Sequence, residues 1–359
     1  MSPPPCNFHV VNCWSKAGVG TSIILAFGEN PKTNGPSSAR IALDLGATPA
    51  FGESVPASVV LLSHGHVDHI GAIFSHARAH TLSFHGSVPT YYVPKQILPL
   101  VEVAKEAMTT LNSAGDRDGG TLDMNLVGVE PGDEVVLLVR QGLKGKEIVV
   151  RVFATSHAGC PGVGYVISTR RRTQVLKEEY RSLSGNKIRE LARSGVDLKE
   201  ELVEESFDVA YTGDTTFEAL ERNAELWSRC HTVFCEATFL DATEKSRVLA
   251  RDRGHMHMDD IAKLMKCAGE NQRVVLIHVS SRYSAEQALD LLIDSIPHQF
   301  ASRLEVAIQS LSGSAQLMNL TKRGLVTLSA YRERKPEAMS GKRENVIRKK
   351  APARGGKVA

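Results

Sequence analysis

The 359 residues are 42% hydrophobic and 23% charged with a formal charge of +3, the balance of a globular chain long enough for one large domain or two small ones. No uninterrupted apolar stretch approaches the ~18 to 20 residues of a spanning helix, and the opening Met-Ser-Pro-Pro-Pro has neither a basic nor an apolar leader region. A membrane partner is therefore not expected and a cytoplasmic or nuclear address is, while Cys6, Cys13, Cys160, Cys230, Cys235 and Cys267 form no C-x-x-C pair and are expected as reduced thiols.

From Cys6 to about Ser168 the chain runs in short β-branched stretches ended by Gly, Pro or Asp. They span Ser22 to Phe27, Arg40 to Leu45, Val59 to Leu62, Glu134 to Val139, Ile148 to Phe153 and Gly164 to Ser168, and read as strands. Leu100, Val103, Ala104, Ala107, Met108 and Leu111 recur at steps of three and four and mark a helical face. Between Arg170 and Ser206 the apolar pattern thins and Arg170, Arg171, Arg172, Lys177, Arg181, Lys187, Arg189 and Arg193 crowd the segment, which reads either as a basic excursion from the core or as an ordinary charged surface helix from Asn186 to Ser194. After Ala210 strands and helices alternate, with a helix over Asp259 to Ala268 and a strand over Arg273 to Val279. Strands first and alternation later point to packed sheets covered by helices. The last segment, 332–359, holds ten Lys and Arg against three Glu, a local balance of +7 that leaves −4 for the first 331 residues. Too poor in apolar side chains to fold alone, it is expected to be a disordered basic tail, either merely solvated or touching RNA or serving nuclear entry.

The strand at Val59 runs straight into Ser63-His64-Gly65-His66-Val67-Asp68-His69. Three imidazoles and a carboxylate on one strand-end loop can converge on a point from a rigid support, and that donor set suits Zn²⁺. A closed structural site would use thiolates, and no cysteine is near, so an open, catalytic site is expected. The cluster offers more donors than one tetrahedral ion uses, and His157, Asp214 and His278 also follow strand-like runs. Two metal ions are therefore expected. His255 and His257, in Gly-His-Met-His-Met just before a helix, read as spare ligands or acid catalysts, the helix N-terminus being favourable to a phosphate.

With these residues placed, the chain resembles the metallo-β-lactamase superfamily and, within it, the short-form tRNase Z (ribonuclease Z) family, particularly its plant type. The resemblance runs from about Phe8 to Gln309. It is carried in order by Leu-Asp-Leu-Gly at Asp44, H-x-H-x-D-H from His64 to His69, the His157 loop, Tyr-Thr-Gly-Asp-Thr at Asp214, Glu-Ala-Thr-Phe-Leu-Asp from Glu236, Gly-His-Met-His at His255 and His-Val-Ser-Ser-Arg-Tyr from His278. It implies an α/β fold, an αββα sandwich over residues 1–331 with an inserted arm at about 170–206. It further implies two zinc ions per chain, with manganese as the alternative metal: His64, His66 and His157 on one, Asp68, His69 and His278 on the other, Asp214 bridging. Asp44 would orient a ligand histidine, and Glu236 with His255 would form a proton-donating couple. Arg282 would lie near the substrate phosphate, and the arm, with Arg170, Arg171 and Lys177, would hold the body of a precursor tRNA. A homodimer is implied as well. The chain departs from the family where Cys235 replaces a histidine common before the Glu, and where Asn12-Cys13-Trp14 and Leu45-Gly46-Ala47 replace a Gly-rich opening.

The function so implied is removal of the 3′ trailer from precursor tRNA by an endoribonuclease. Ions ~3.5 to 4 Å apart would acidify a shared water to near neutral pH for in-line attack, with Asp68 as base and His255 as acid. The rival readings are a small-molecule metallo-hydrolase of the same fold, acting as a phosphodiesterase or thioesterase, and an RNA-binding protein with a vestigial metal site.

Overall fold

Along the strand Gly20–Phe27, Ile23, Leu25 and Phe27 join one buried cluster while Ile24 joins another. A strand whose two faces are both apolar has to be covered on both sides, and that requirement organises the molecule. The coordinates, a computed structural model, describe residues 7–28, 39–113, 120, 122–137, 145–321 and 323–334.

Six strands, β1 (Phe8–Lys16), β2 (Gly20–Phe27), β3 (Ala39–Leu43), β4 (Val59–Leu61), β5 (Thr90–Pro94) and β6 (Asn125–Val129), form the first sheet in chain order. Eight more, β7 (Glu134–Leu137), β8 (Lys146–Ala154), β9 (Val163–Leu176), β10 (Lys199–Tyr211), β11 (Thr232–Glu236), β12 (Arg273–Ile277), β13 (Leu304–Ala307) and β14 (Leu325–Thr327), form the second, ordered from β14 to β7. The sheets pack face to face through Leu25, Ile41, Leu61, Tyr165, Phe234 and Ile277. On the outer face of the first lie α1 (Phe51–Ser54), α2 (Val67–Ile70), α3 (Ile73–Ser83) and α4 (Leu98–Asn112), with Ile73, Ala77 and Val101 against Ala42 and Val60. Beyond α5 (Gly185–Arg193), which stands apart, the second sheet is covered by α6 (Phe217–Arg222), α7 (Ala224–Trp227), α8 (Glu244–Arg253), α9 (Met258–Cys267), α10 (Ala285–Ser295) and α11 (Leu328–Arg334). The helix–sheet–sheet–helix order is the expected sandwich. No helix among the described residues is long and apolar enough to cross a membrane.

Three expectations from the sequence change. The segment after Ser168 is not a break in the sheet: β9 and β10 continue as a twelve-rung antiparallel ribbon that carries α5 at its tip, and β8 pairs with β9 as far as Arg171. The free arm therefore begins at Arg172 and returns at Val203. Nor is the segment 170–206 basic overall, since nine Lys and Arg face eight Asp and Glu, half of the latter on β10. The face from Leu100 to Leu111 does form a helix, but it points outward, with Leu100 and Leu111 about 70% exposed and Val101 buried instead. The tail begins later than Arg332, because α11 runs through Arg334, and the rest of it lies outside the described residues. The first cysteine and the end of the run to Val139 also lie outside them; the other five cysteines are free thiols.

At the root of the ribbon Arg170 is almost wholly buried and its guanidinium donates to Glu134 (2.9 Å) and Glu147 (3.2 Å), while Arg151 pairs with Glu205 (2.7 Å) and Glu134 (3.0 Å). These charges close the sheet edge, so Arg170→Ala should destabilise the fold by about 1 to 3 kcal/mol and Arg171→Ala by less than ~0.5. Urea denaturation of the two variants checks it: equal midpoints would show that the pairs at Arg170 contribute nothing.

Candidate metal centre

Every residue singled out for metal chemistry lies at the same edge of the sandwich, at or just past a strand end. Asp44 follows β3, His64 follows β4, His157 follows β8, Asp214 follows β10, Glu236 ends β11 and His278 follows β12. The His64 to His69 run is a strand-to-helix turn in which His66 takes extended backbone as the N-cap of α2, so that Asp68 and His69 emerge from the first helical turn. Strain gathers here. Asp44 (φ 55°), His278 (φ 56°) and Ala158 (φ 38°) all adopt left-handed backbone without being glycine, which costs energy and persists where function selects it.

The donor atoms converge in two groups. In the first, His66 Nδ1 is 3.0 Å from His64 Nε2 and 3.2 Å from His157 Nε2. In the second, His278 Nε2 is 3.3 Å from His69 Nε2 and 3.4 Å from Asp68 Oδ2. Asp214 Oδ2 lies between them, 3.8 Å from His64 and 3.9 Å from His157 on one side, 3.5 Å from His69 and 3.4 Å from His278 on the other. Ligands about 2.0 to 2.1 Å from a tetrahedral ion stand roughly 3.3 Å from one another, so both groups have the spacing of a cation's first shell. The residues fit the metal, and the cluster is a divalent-cation site.

Charge shifts agree. Burial, reinforced by the neighbouring His69, holds His64 well below the usual imidazole range, keeping its lone pair free. Burial would raise Asp214, but the His278 and His69 rings outweigh it and hold the carboxyl well below its usual range.

Each ligand ring is fixed by its other nitrogen. His157 Nδ1 donates to the Gly254 carbonyl (3.1 Å), which leaves Nε2 for the metal. Gly254 ends α8 in left-handed backbone, and a Cβ there would lie 2.3 Å from the Ala158 nitrogen, so only glycine allows this contact. His278 Nδ1 donates to Thr238 Oγ1 (3.0 Å), whose hydroxyl in turn donates to Glu236 Oε2 (2.5 Å). Asp44 accepts from His69 Nδ1 (2.6 Å). Asp68 Oδ2 also accepts from the Gly18 amide (2.8 Å).

Beside the cluster, His255 Nδ1 donates to the fully buried Glu236 (2.9 Å). Burial lowers the His255 pKa, but the Glu236 charge and hydrogen bond outweigh it and raise it to about 9. The ring packs 4.5 Å from that of His157 and 5.6 Å from that of His278, and its Nδ1 lies 3.9 Å from Asp214 Oδ2, so His255, Asp214 and His278 form a third donor group beside the other two. His257 is neither ligand nor acid: it caps α9, accepting from the Asp259 amide (3.1 Å) and donating to the Asp241 carbonyl (2.8 Å). Cys235 faces away from the site into the helix-covered core, so its replacement of histidine leaves the Glu236–His255 contact intact.

Of the expected substrate contacts, Arg282 lies near the rim with its guanidinium 4.8 Å over the Phe239 ring and 3.8 Å from Asp241. Arg170 is a correction, since its side chain is buried and committed to two glutamates. Lys177 closes the arm on itself, donating to the Asp197 carbonyl (2.7 Å). Arg171 is exposed and forms no ion pair among the described residues. The sequence reading missed Ser63, Tyr211 and Thr238, whose hydroxyls hold the ligand partners; all three sit within three residues of a named motif residue, but hydroxyls carry no spacing signal of their own.

No family model matches the chain. It is 33% identical over 270 residues to tRNase Z TRZ1 of Arabidopsis thaliana, an alignment covering 74% of this chain and 87% of that protein. With the chloroplastic tRNase Z TRZ2 of the same plant it shares 30% over 259 residues, covering 71% and 66%. Unliganded yeast PDE1 aligns over 84% of this chain and 97% of its own with a TM-score of 0.52 at 10% identity, a likeness of fold alone. With a third of the aligned residues shared with a plant tRNase Z over most of both chains, and with that family's motifs gathered at one sheet edge, the chain belongs to the tRNase Z family and has the metallo-β-lactamase fold.

Proposed function

We propose that the chain is a metal-dependent endoribonuclease that removes the 3′ trailer of precursor tRNA, using two zinc ions, or manganese in their place. The observation that carries the reading is the Glu236–His255 pair set over a complete two-part ligand set. An all-nitrogen-and-oxygen donor set at tetrahedral spacing suits zinc. When bound, two such ions supply Lewis acidity toward a phosphodiester and acidify water near neutral pH.

The chain's own groups do the rest. Asp68, tethered by the Gly18 amide, orients the attacking water and accepts its proton; Asp214 sits between the two halves of the site. His255, kept protonated by Glu236, gives a proton to the departing 3′ oxygen of the tRNA as the P–O3′ bond breaks, so the tRNA keeps a 3′-hydroxyl and the trailer leaves with a 5′-phosphate. Arg282, exposed at the rim, meets the phosphate. A vestigial site is disfavoured because every ligand is present and in range. A small-molecule hydrolase is disfavoured because the protruding arm has no use for a small substrate.

The test is a precursor tRNA with a 3′ trailer and an end label, cut by the zinc-loaded protein. A single cut after the discriminator base is expected, lost in Asp68→Ala. His255→Ala should slow it by roughly 10² to 10⁴-fold while zinc content stays unchanged. Hydrolysis of small phosphodiesters or thioesters with no cut in the tRNA would favour the small-molecule reading.

The arm serves the body of the tRNA. Its exposed Arg189 and Arg193 enter no ion pair among the described residues and lie at the tip of the ribbon, with Arg171 exposed at its root. Replacing Arg172–Val203 by a short turn should weaken precursor binding more than about tenfold and leave hydrolysis of bis(p-nitrophenyl) phosphate unchanged. Equal loss of both would remove the arm from substrate binding.

A homodimer is part of the proposal, with the outward face of α4 as its contact. Leu100, Val103, Met108 and Leu111 form an exposed apolar stripe on a helix whose inner face is already packed, and a soluble chain seldom leaves such a stripe bare. Light scattering should give twice the 39.0 kDa chain mass, falling to one chain in Leu100→Asp with Leu111→Asp. A monomeric wild type would sink the dimer.

A further inference from the structure

Asp44 is wholly buried, and every neighbour it bonds is a donor. Its Oδ1 accepts from the Ser63 amide (2.7 Å); its Oδ2 accepts from Ser63 Oγ (2.6 Å), from His69 Nδ1 (2.6 Å) and from the Tyr211 hydroxyl. An ionised carboxylate only accepts, so the direction of each bond follows. The His69 proton is on Nδ1, which turns the Nε2 lone pair to the group with Asp68 and His278. Ser63 spends its hydroxyl proton on Asp44, so toward His64 Nδ1, 3.0 Å away, its oxygen can only accept. That places the His64 proton on Nδ1 as well and turns its Nε2 lone pair to the other group, with His66 and His157.

We infer that Asp44 sets ligand orientation in both halves of the metal cluster, reaching His69 directly and His64 through the Ser63 hydroxyl, with Tyr211 holding the carboxylate in place. Ser63 and Tyr211 are then positioning residues that no metal contact would disclose. His157 and His278 have separate anchors, the Gly254 carbonyl and Thr238, so only His64 and His69 share a support. Ser63 is buried, and the absence of a Cβ at Gly213 is what leaves space for it, since a Cβ there would stand 2.5 Å from the Ser63 Cβ. Tyr211, at the end of β10 and fully buried, reaches Asp44 across the two sheets and ties the first sheet's ligands to the strand that carries Asp214.

The inference rests on the two-metal reading, and one titration separates the two. The full-length apo-protein is titrated with Zn²⁺ against a chromophoric chelator, and the two stepwise affinities are read for wild type, Ser63→Ala, Asp44→Asn and the double variant. Wild type should take two ions; fewer would defeat the two-metal reading itself. Asp44→Asn should weaken both steps, and Ser63→Ala one step, each by roughly 10- to 100-fold. The double variant should be no weaker than Asp44→Asn, because Ser63 acts through that carboxylate. Two ions bound by wild type with both steps unchanged in Ser63→Ala, only one step weakened in Asp44→Asn, or additive losses in the double variant would each overturn the inference. Should Asp44→Asn not fold, Tyr211→Phe keeps the carboxylate and removes one donor: both steps weakened together support the shared support, one step or none refutes it.

Discussion

Five imidazoles and two carboxylates held at one sheet edge, with their metal-facing atoms within a few ångströms, impose the constraint on which the rest of this structure depends. Lone pairs so arranged repel unless a cation joins them, and each ring is free to flip to its other nitrogen unless something prevents it. The fold answers the second problem directly. Asp44, Ser63, Thr238 and the Gly254 carbonyl each take a ring N–H, and three of these four are buried side chains at strand ends or in the turns that follow them. Two apolar faces per sheet make the strand ends rigid enough for such bonds to matter. The left-handed backbone at Asp44 and His278 is then a cost absorbed by a well-packed core rather than a local accident.

The same economy appears around Glu236. Its two oxygens receive the Thr215 amide (2.7 Å), the Thr238 hydroxyl and His255, so one buried carboxylate both anchors a metal ligand through Thr238 and charges the acid. This explains why a cysteine is tolerated next to it. Along β11 side chains alternate, Val233 and Cys235 toward the helices and Phe234 toward the facing sheet, and position 235 contributes volume to the core, not chemistry to the site.

The strands and the ligands were legible because each leaves a run or a spacing in the sequence: short unbroken stretches of apolar residues for β2 and β12, and a histidine or aspartate after a β-branched run for the metal edge. Less visible were properties that depend on which residues face one another. Arg170 looks like its exposed neighbour Arg171 in the sequence, and only the pairing of β8 with β9 sets it between Glu134 and Glu147. The α4 stripe has the spacing of a buried face, and periodicity cannot tell a face packed in its own domain from one left for a partner. His255 and His257 share a motif and part company because one meets Glu236 and the other an amide of the helix it caps.

If the arm holds the body of a folded RNA as proposed, charge and shape divide that work. A ribbon as long as β9 and β10 beyond the sheet has few apolar contacts to support it, and here cross-strand pairs such as Arg172 with Glu201 (3.0 Å) and Arg181 with Glu200 (3.7 Å) neutralise most of its cations. What remains positive is sparse and set at defined points along and at the tip of the ribbon. A uniformly basic arm would attract any polyanion and release it steeply with salt. Sparse cations on a stiff support instead bind well only where phosphates recur at matching distances, as they do on the outside of a folded tRNA but not along a flexible single strand. Selectivity for the substrate would on this view come from the spacing between arm and metal edge, fixed by the continuous β10 strand that carries the arm at one end and leads into Asp214 at the other.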